Sequence, residues 1–124
     1  MHIEQFVEYC SHKAGVEETF PFDENTLVLK VMGKMFALCN IVEEPMRINL
    51  KCDPERAILL REEHEEIIPG FHMNKKHWNT ILVGGGLLDQ SIIYELIDHS
   101  YDLVVKGLTK KLRVELEKLN ADQS

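Results

Sequence analysis

The densest run of reactive side-chain types lies between Pro69 and Thr80, where the sequence reads PGFHMNKKHWNT. Lys75, Lys76, His77, Trp78 and Asn79 place two ammonium groups, an imidazole, an indole and an amide in five consecutive positions. Lysine and imidazole donate to phosphate oxygens, and aromatic rings stack on bases, so these are the parts of a phosphate-and-base contact surface. The same residues also suit an architectural corner, with Trp78 anchoring a core, the lysines solvated, and Asn74 and Asn79 pinning a turn. A second basic group, Lys106, Lys110, Lys111 and Arg113, follows near the C-terminus. At helical spacing 106, 110 and 113 share a face. That face can track phosphates, or simply complement the negative end of a helix dipole.

The remaining constellations are weaker. His72 and His77 stand five apart, which matches neither the i, i+4 pair of a helix nor the same face of a strand, so no metal site is expected. The glutamates at 62, 63, 65 and 66 read as a solvated helix end rather than a cation cage. Cys52 follows Lys51 and precedes a helix start, where a thiolate could be stabilised, but strand alternation puts it beside Ile48 and Leu50 on the apolar side. No G-x-S-x-G, H-E-x-x-H or Walker-type pattern occurs, so neither an enzyme nor a bound cofactor is expected.

These residues need elements to hold them. Apolar positions 3, 6, 7, 10 and 14 predict an amphipathic helix over 2–14, ended by Gly15. The run at 20–22 predicts a short strand before a turn, and 26–31 with 34–40 predict a hairpin around Met32-Gly33. Alternation over 46–52 turns Met46, Ile48, Leu50 and Cys52 inward and Arg47, Asn49 and Lys51 to the other face. Asp53-Pro54-Glu55 opens a helix expected to reach about residue 66. Pro69-Gly70 breaks the chain, 78–83 is the last predicted strand, and Gly84-Gly85-Gly86 is expected as a mobile turn. Asp89 caps a long third helix interrupted at Gly107, and Thr109 caps a short final one, with 1–2 and 120–124 expected to fray.

A chain of 124 residues with 44% hydrophobic and 28% charged residues is sized for one core, so a single domain over 1–124 is expected. Three widely spaced cysteines argue against a disulfide framework. No apolar run approaches the roughly 20 residues of a membrane span. The N-terminus lacks a basic segment followed by an apolar one, so the expected compartment is the cytoplasm. The net charge is −7, and residues 1–66 hold 7 Lys+Arg against 14 Asp+Glu. Only a local basic surface in the second half can therefore attract a polyanion.

With these elements in place, FPFD (20–23), GKMFAL (33–38), NLKCDP (49–54), PGFHMNKKHWNT (69–80) and SYDLV (100–104) together resemble the MmcQ/YjbR family of small bacterial proteins. The resemblance spans nearly the whole chain in order. It implies an α+β fold, an antiparallel sheet with helices packed on one side, related to frataxin-like, secretion-chaperone-like and double-wing arrangements. It also implies DNA binding, a label that rests on fold analogy. Phe71 stands where the family often has Tyr. Three readings follow: DNA binding through Lys75, Lys76, His77, Lys106, Lys110, Lys111 and Arg113; a protein-interaction module; or a small-molecule or metal site near His72, His77 and Lys51.

Overall fold

The computed structural model describes residues 1–84 and 88–123. The glycines at 85 and 86, expected in a mobile turn, lie outside the described residues. Helix α1 (Ile3–Ser11) leads into strands β1 (Val16–Thr19), β2 (Thr26–Val31), β3 (Lys34–Asn40) and β4 (Arg47–Lys51). Helix α2 (Pro54–Glu63), strands β5 (Ile67–Pro69) and β6 (Trp78–Leu82), and helices α3 (Gln90–Lys106) and α4 (Lys110–Gln123) follow.

The hairpin between β2 and β3 forms as the sequence predicts. Val31 pairs with Lys34, and the two residues between them, Met32 (φ 50°) and Gly33 (φ 83°), both adopt left-handed backbone. That combination matches the right-handed twist of the flanking strands. Asp53 caps α2 by accepting from the Arg56 N–H at 3.1 Å, and Asp89 caps α3 by accepting from Ser91 at 2.9 Å.

Several boundaries differ from expectation. Helix α1, expected over 2–14, ends at Ser11, with His12 at its C-cap. The first strand is 16–19 rather than 20–22, because Pro21 has no N–H for a ladder; Phe20 and Phe22 remain 48% and 65% exposed. Helix α2 stops at Glu63. His64 turns extended and the Glu66 carbonyl accepts from Leu82 at 2.8 Å, drawing Ile67 into the sheet as the unpredicted β5. The final helix is 14 residues long and continues to Gln123, into the segment expected to fray. At the other end, Gln5 Oε1 accepts from the His2 amide at 3.1 Å at the start of α1, and Met1 packs on the core.

All strand pairs are antiparallel, in the order β1-β2-β3-β4-β6-β5, so β6 is inserted between β4 and β5. The helices pack on one face, giving the α+β architecture expected. Phe6 and Cys10 of α1 and Ile93, Leu96, Ile97 and Val104 of α3 close over Leu29, Val31, Ala37, Ile48, Leu50 and Ile81. Tyr9 and Tyr94 stack at 4.2 Å between α1 and α3. Asp98 accepts from the Tyr9 hydroxyl at 2.8 Å and from the Lys13 ammonium at 2.5 Å. Burial and this carboxylate push the Tyr9 phenol up to about 12. Gly15 (φ +72°) lets α4 approach, since a Cβ there would lie 2.7 Å from Leu116 and 3.1 Å from the Met32 sulfur.

The opposite face carries a smaller cluster of Val28, Leu38 and Trp78, flanked by Met35 and Met73. Alternation from these positions puts Lys30, Arg47, Asn49, Lys51 and Thr80 on the same side.

Candidate nucleic-acid interface and the open-face cleft

The segment 70–77 is a hydrogen-bonded loop folded against the start of β6. Gly70 donates to the Trp78 carbonyl at 2.9 Å, and Trp78 donates to Asn74 at 3.0 Å. The Asn74 side chain accepts from the amides of Lys76 and His77 at 2.9 and 3.2 Å, an Asx turn that pins the corner. The Lys75 ammonium donates to the Gly70 carbonyl at 2.9 Å and so ties the loop to itself. Lys76 and His77 are exposed, and the His77 carbonyl accepts from the Cys52 amide at 2.8 Å. Trp78 is 8% exposed and packs on Val28 and Leu38, so the indole is an anchor of the open face.

Arg61 of α2 holds this loop from behind. Its Nε donates to Asn79 Oδ1 at 2.7 Å, and one Nη reaches the carbonyls of Lys75 and Trp78. The planar fork reaches these acceptors from two separate nitrogens held in fixed geometry, whereas an ammonium offers all its donors from one atom. Nothing in the sequence marks Arg61 for this task, because its partners lie 14 to 18 positions away.

Both predicted basic groups lie at one end of the sheet, on different flanks. Lys34 opens β3, Lys51 closes β4, and Lys75, Lys76 and His77 precede β6, all at that end. Helix α3 is fixed at the same level by Ser100, whose hydroxyl meets the Lys51 amide at 2.9 Å. It runs about 9 Å further to Lys106. Helix α4, with Lys110, Lys111 and Arg113, then packs through Leu116 beside Gly15 and Met32, on the β1–β2 side. Strands β3 and β4 lie between that hairpin turn and β6, roughly 14 Å of sheet. The acidic side chains of α1, α2 and α3 (Glu4, Glu8, Glu62, Glu63, Glu95, Asp98) belong to the helical layer.

A cleft of about 510 Å³ opens at the other end of the uncovered face. Phe22 and Phe71 flank it, Leu38 and Met73 supply apolar wall, and Asn40, Glu43, Arg47, Asn49, His72 and Thr80 supply polar groups. The Arg47 guanidinium lies 5.1 Å from the centre of the Phe71 ring and pairs with Glu43. Phe71 donates its amide to Thr80 Oγ1 at 2.8 Å, and Thr80 passes its own proton to Asn49 Oδ1. His72, in left-handed backbone (φ 59°), lays its ring 4.1 Å from that of Phe71. Sequence alternation had turned Arg47 and Asn49 to this face, but nothing local joined them to Phe22, Asn40 or Phe71. Of the three residues tied to a small-ligand reading, the cleft takes His72 but neither His77 nor Lys51.

The cysteines are structural. Cys10, Cys39 and Cys52 are all buried, and burial pushes their thiols up to about 12, 12 and 11. Cys52 sits in the main core, as its alternation with Ile48 and Leu50 predicts. Among the described residues no group of three or more His, Cys, Asp or Glu could hold a metal ion. No described helix is long and apolar enough to cross a membrane.

Fold and site thus define a small α+β domain with a helical layer on one sheet face and a basic end and mixed-polarity cleft associated with the other. Its residues 11–103 match the YjbR family model. The chain belongs to the YjbR family. It is 37% identical over 119 residues to the Escherichia coli K12 protein titled "Uncharacterized protein YjbR", covering 96% of this chain and all of that one. It is 38% identical over 96 residues to "Uncharacterized protein YbdF" of Escherichia coli O157:H7, covering 77% and 78% of the two chains. The crystal structure of Deinococcus radiodurans protein DR2400, a DUF419 domain, superposes with a TM-score of 0.86 at 43% identity, over 94% of this chain and 88% of that one. A Pseudomonas syringae protein superposes with a TM-score of 0.70 at 30% identity, over 83% and 98%.

Proposed function

We propose that this chain is a non-catalytic cytoplasmic protein that binds DNA through phosphate contacts at the basic end of its sheet. The observation behind this reading is that Lys34, Lys51, Lys75 and Lys76 gather where β3 begins, β4 ends and β6 begins, in a chain whose net charge is −7. Lys106, Lys110, Lys111 and Arg113 extend the same end on the far flank. Acidic groups on the helical layer disfavour approach of a polyanion from that side. Lys75 contributes mainly by shaping the loop, because its ammonium is already engaged at Gly70. Lys51, Lys76 and the α3–α4 cations make the phosphate contacts.

Fluorescence anisotropy with labelled single-stranded and duplex DNA across a salt series tests this. Affinity should fall steeply with salt, and Lys51→Ala with Lys76→Ala should reduce the slope of log K against log salt by roughly 1.4 to 1.8. Absence of binding to either form at low salt would rule the reading out.

A protein partner has one observation in its favour. Ile58 and Leu59 on the outer side of α2 are 54% and 55% exposed. Paired substitution of both by Glu should release any partner copurified with the native chain while leaving DNA affinity unchanged.

A further inference from the structure

We infer that the open-face cleft is a binding site for a planar heteroaromatic ring bearing carbonyl acceptors, the chemistry of a nucleobase. The inference does not depend on the phosphate reading: Phe71, His72 and Met73 come from the same loop as Lys75 and Lys76, but no lysine lines the cleft.

Its hydrogen-bonding character is set by the chain of donors beneath it. The Phe71 amide can only donate, so Thr80 Oγ1 accepts from it, and the Thr80 proton then goes to Asn49 Oδ1. That fixes the orientation of the Asn49 amide and leaves its Nδ2 as a donor on the cleft wall. Asn40 repeats the logic: its Oδ1 accepts from the Val42 amide at 3.0 Å, and among the described residues Nδ2 makes no hydrogen bond. The wall therefore presents two amide NH₂ donors, each on a side chain whose oxygen already accepts one hydrogen bond. They suit a ligand with acceptors in one plane.

The apolar half of the cleft points to the same class. Phe22 and Phe71 are 65% and 49% exposed, an unusual loss for two large rings on one cleft. The Arg47 guanidinium already lies over Phe71, so the local π-surface is polarised by a cation, and a flat ring entering beside it gains stacking from the phenyl groups. Glu43, paired with Arg47, adds an acceptor at the rim for an exocyclic amine or ring N–H. A volume of about 510 Å³ lies within the ordinary range for small-ligand sites.

The ring can belong to a free nucleoside or to an unpaired base within a strand, and the test separates the two. Uniformly ¹⁵N-labelled protein is titrated with uridine, cytidine, adenosine and guanosine, then with a short thymidine oligonucleotide and an abasic oligonucleotide of equal length. The expected result is perturbation of the Asn40 and Asn49 side-chain amides and of the Phe71, His72 and Thr80 backbone amides. Response to uridine, cytidine or guanosine, with adenosine as the carbonyl-free control giving little or none, identifies a free heterocycle as sufficient, and an equal response to adenosine would overturn the carbonyl requirement. Response to the thymidine strand but neither to nucleosides nor to the abasic one identifies a base held in a strand. In either arm Phe71→Ala should weaken the response about tenfold, and Asn49→Ala or Asn40→Ala should weaken it while the spectrum stays dispersed. Lys51→Ala with Lys76→Ala should leave nucleoside binding unchanged, so failure of the phosphate reading would be seen separately. No perturbation by any base-bearing probe, or one that persists undiminished in Phe71→Ala and Asn49→Ala, would overturn the site.

Discussion

Ser100 donates its hydroxyl proton to the carbonyl of Phe36 at 2.6 Å, across 64 positions of sequence. The same oxygen accepts from the Lys51 amide at 2.9 Å. The β3–β4 ladder runs from Cys39–Ile48 to Ala37–Leu50, and the next pair would join Phe36 to Lys51. The register shift opposite β2 displaces Phe36, which turns its side chain into the core beside Tyr101. A hydroxyl from α3 bridges the gap and ties the helical layer to the centre of the sheet.

Ser100→Ala should therefore cost more than an ordinary hydroxyl deletion. Ser100 is fully buried, and the change leaves both a carbonyl and an amide without their partner. The expected loss is about 2–4 kcal/mol, read in denaturant unfolding. A loss below about 0.5 kcal/mol would mean that water replaces the hydroxyl.

Arg61→Lys should loosen the 70–77 loop while α2 persists. The ammonium replaces at most part of the fork that serves Asn79, Lys75 and Trp78. Asn79 is 2% exposed, and among the described residues its Nδ2 has no partner, so losing the bond at Oδ1 leaves the whole amide unsatisfied. Stability should fall on the order of 1–3 kcal/mol, with faster amide exchange at Trp78 and Gly70. Unchanged exchange at those two amides would show that the Asx turn alone holds the loop.

His99 gives the fold a defined acid sensitivity. Its Nε2 accepts from the Asp53 amide at 3.2 Å, which requires a neutral ring. Burial, with the neighbouring Arg56 guanidinium assisting, holds the imidazole below its usual value of about 6.5. The folded state thus takes up the proton less readily than the unfolded one. The stabilising contribution is complete above the ordinary imidazole value and drains away as pH falls through it toward the lower folded value. His99→Gln, which keeps an acceptor but cannot titrate, should flatten stability between pH 7 and the onset of carboxylate protonation. An equal slope in the variant would move the sensitivity to another group.

The three thiols should be silent to thiol–disulfide exchange in the native protein. Each is buried and held well above the working range of a thiolate, at about 11 to 12. Labelling with a chromogenic disulfide at neutral pH should proceed only as the chain unfolds, with all three reacting in denaturant. Fast native labelling of Cys52, which has the least raised thiol, would show that the start of α2 opens locally.

Much of this was legible in the residues themselves. The alternation of MRINLKC settled which side chains of β4 enter the core, because a strand reverses its side chains at every step whatever lies around it. The Asp53-Pro54 start and the Met32-Gly33 turn are equally local, fixed by caps and backbone torsions within a few positions. Strand β5 escaped notice because three residues are too few to show a period. Helix α2 is shorter than its sequence suggests for a related reason: Glu65 and Glu66 accept helical conformation readily, and the burial of Ile67 beside Ile81 draws the chain into the sheet.

What the tertiary structure alone decided is the order of the sheet and everything that depends on it. Placing β6 between β4 and β5 brings Thr80 against Asn49 and Phe71 over Arg47, and creates the cleft. It also made Trp78 of PGFHMNKKHWNT an anchor, engaged Lys75 at Gly70, and left Lys76 and His77 outward. Periodicity reports how one segment divides its faces between core and solvent. Which segment lies beside it depends on complementary packing over tens of residues, and no local pattern carries that information.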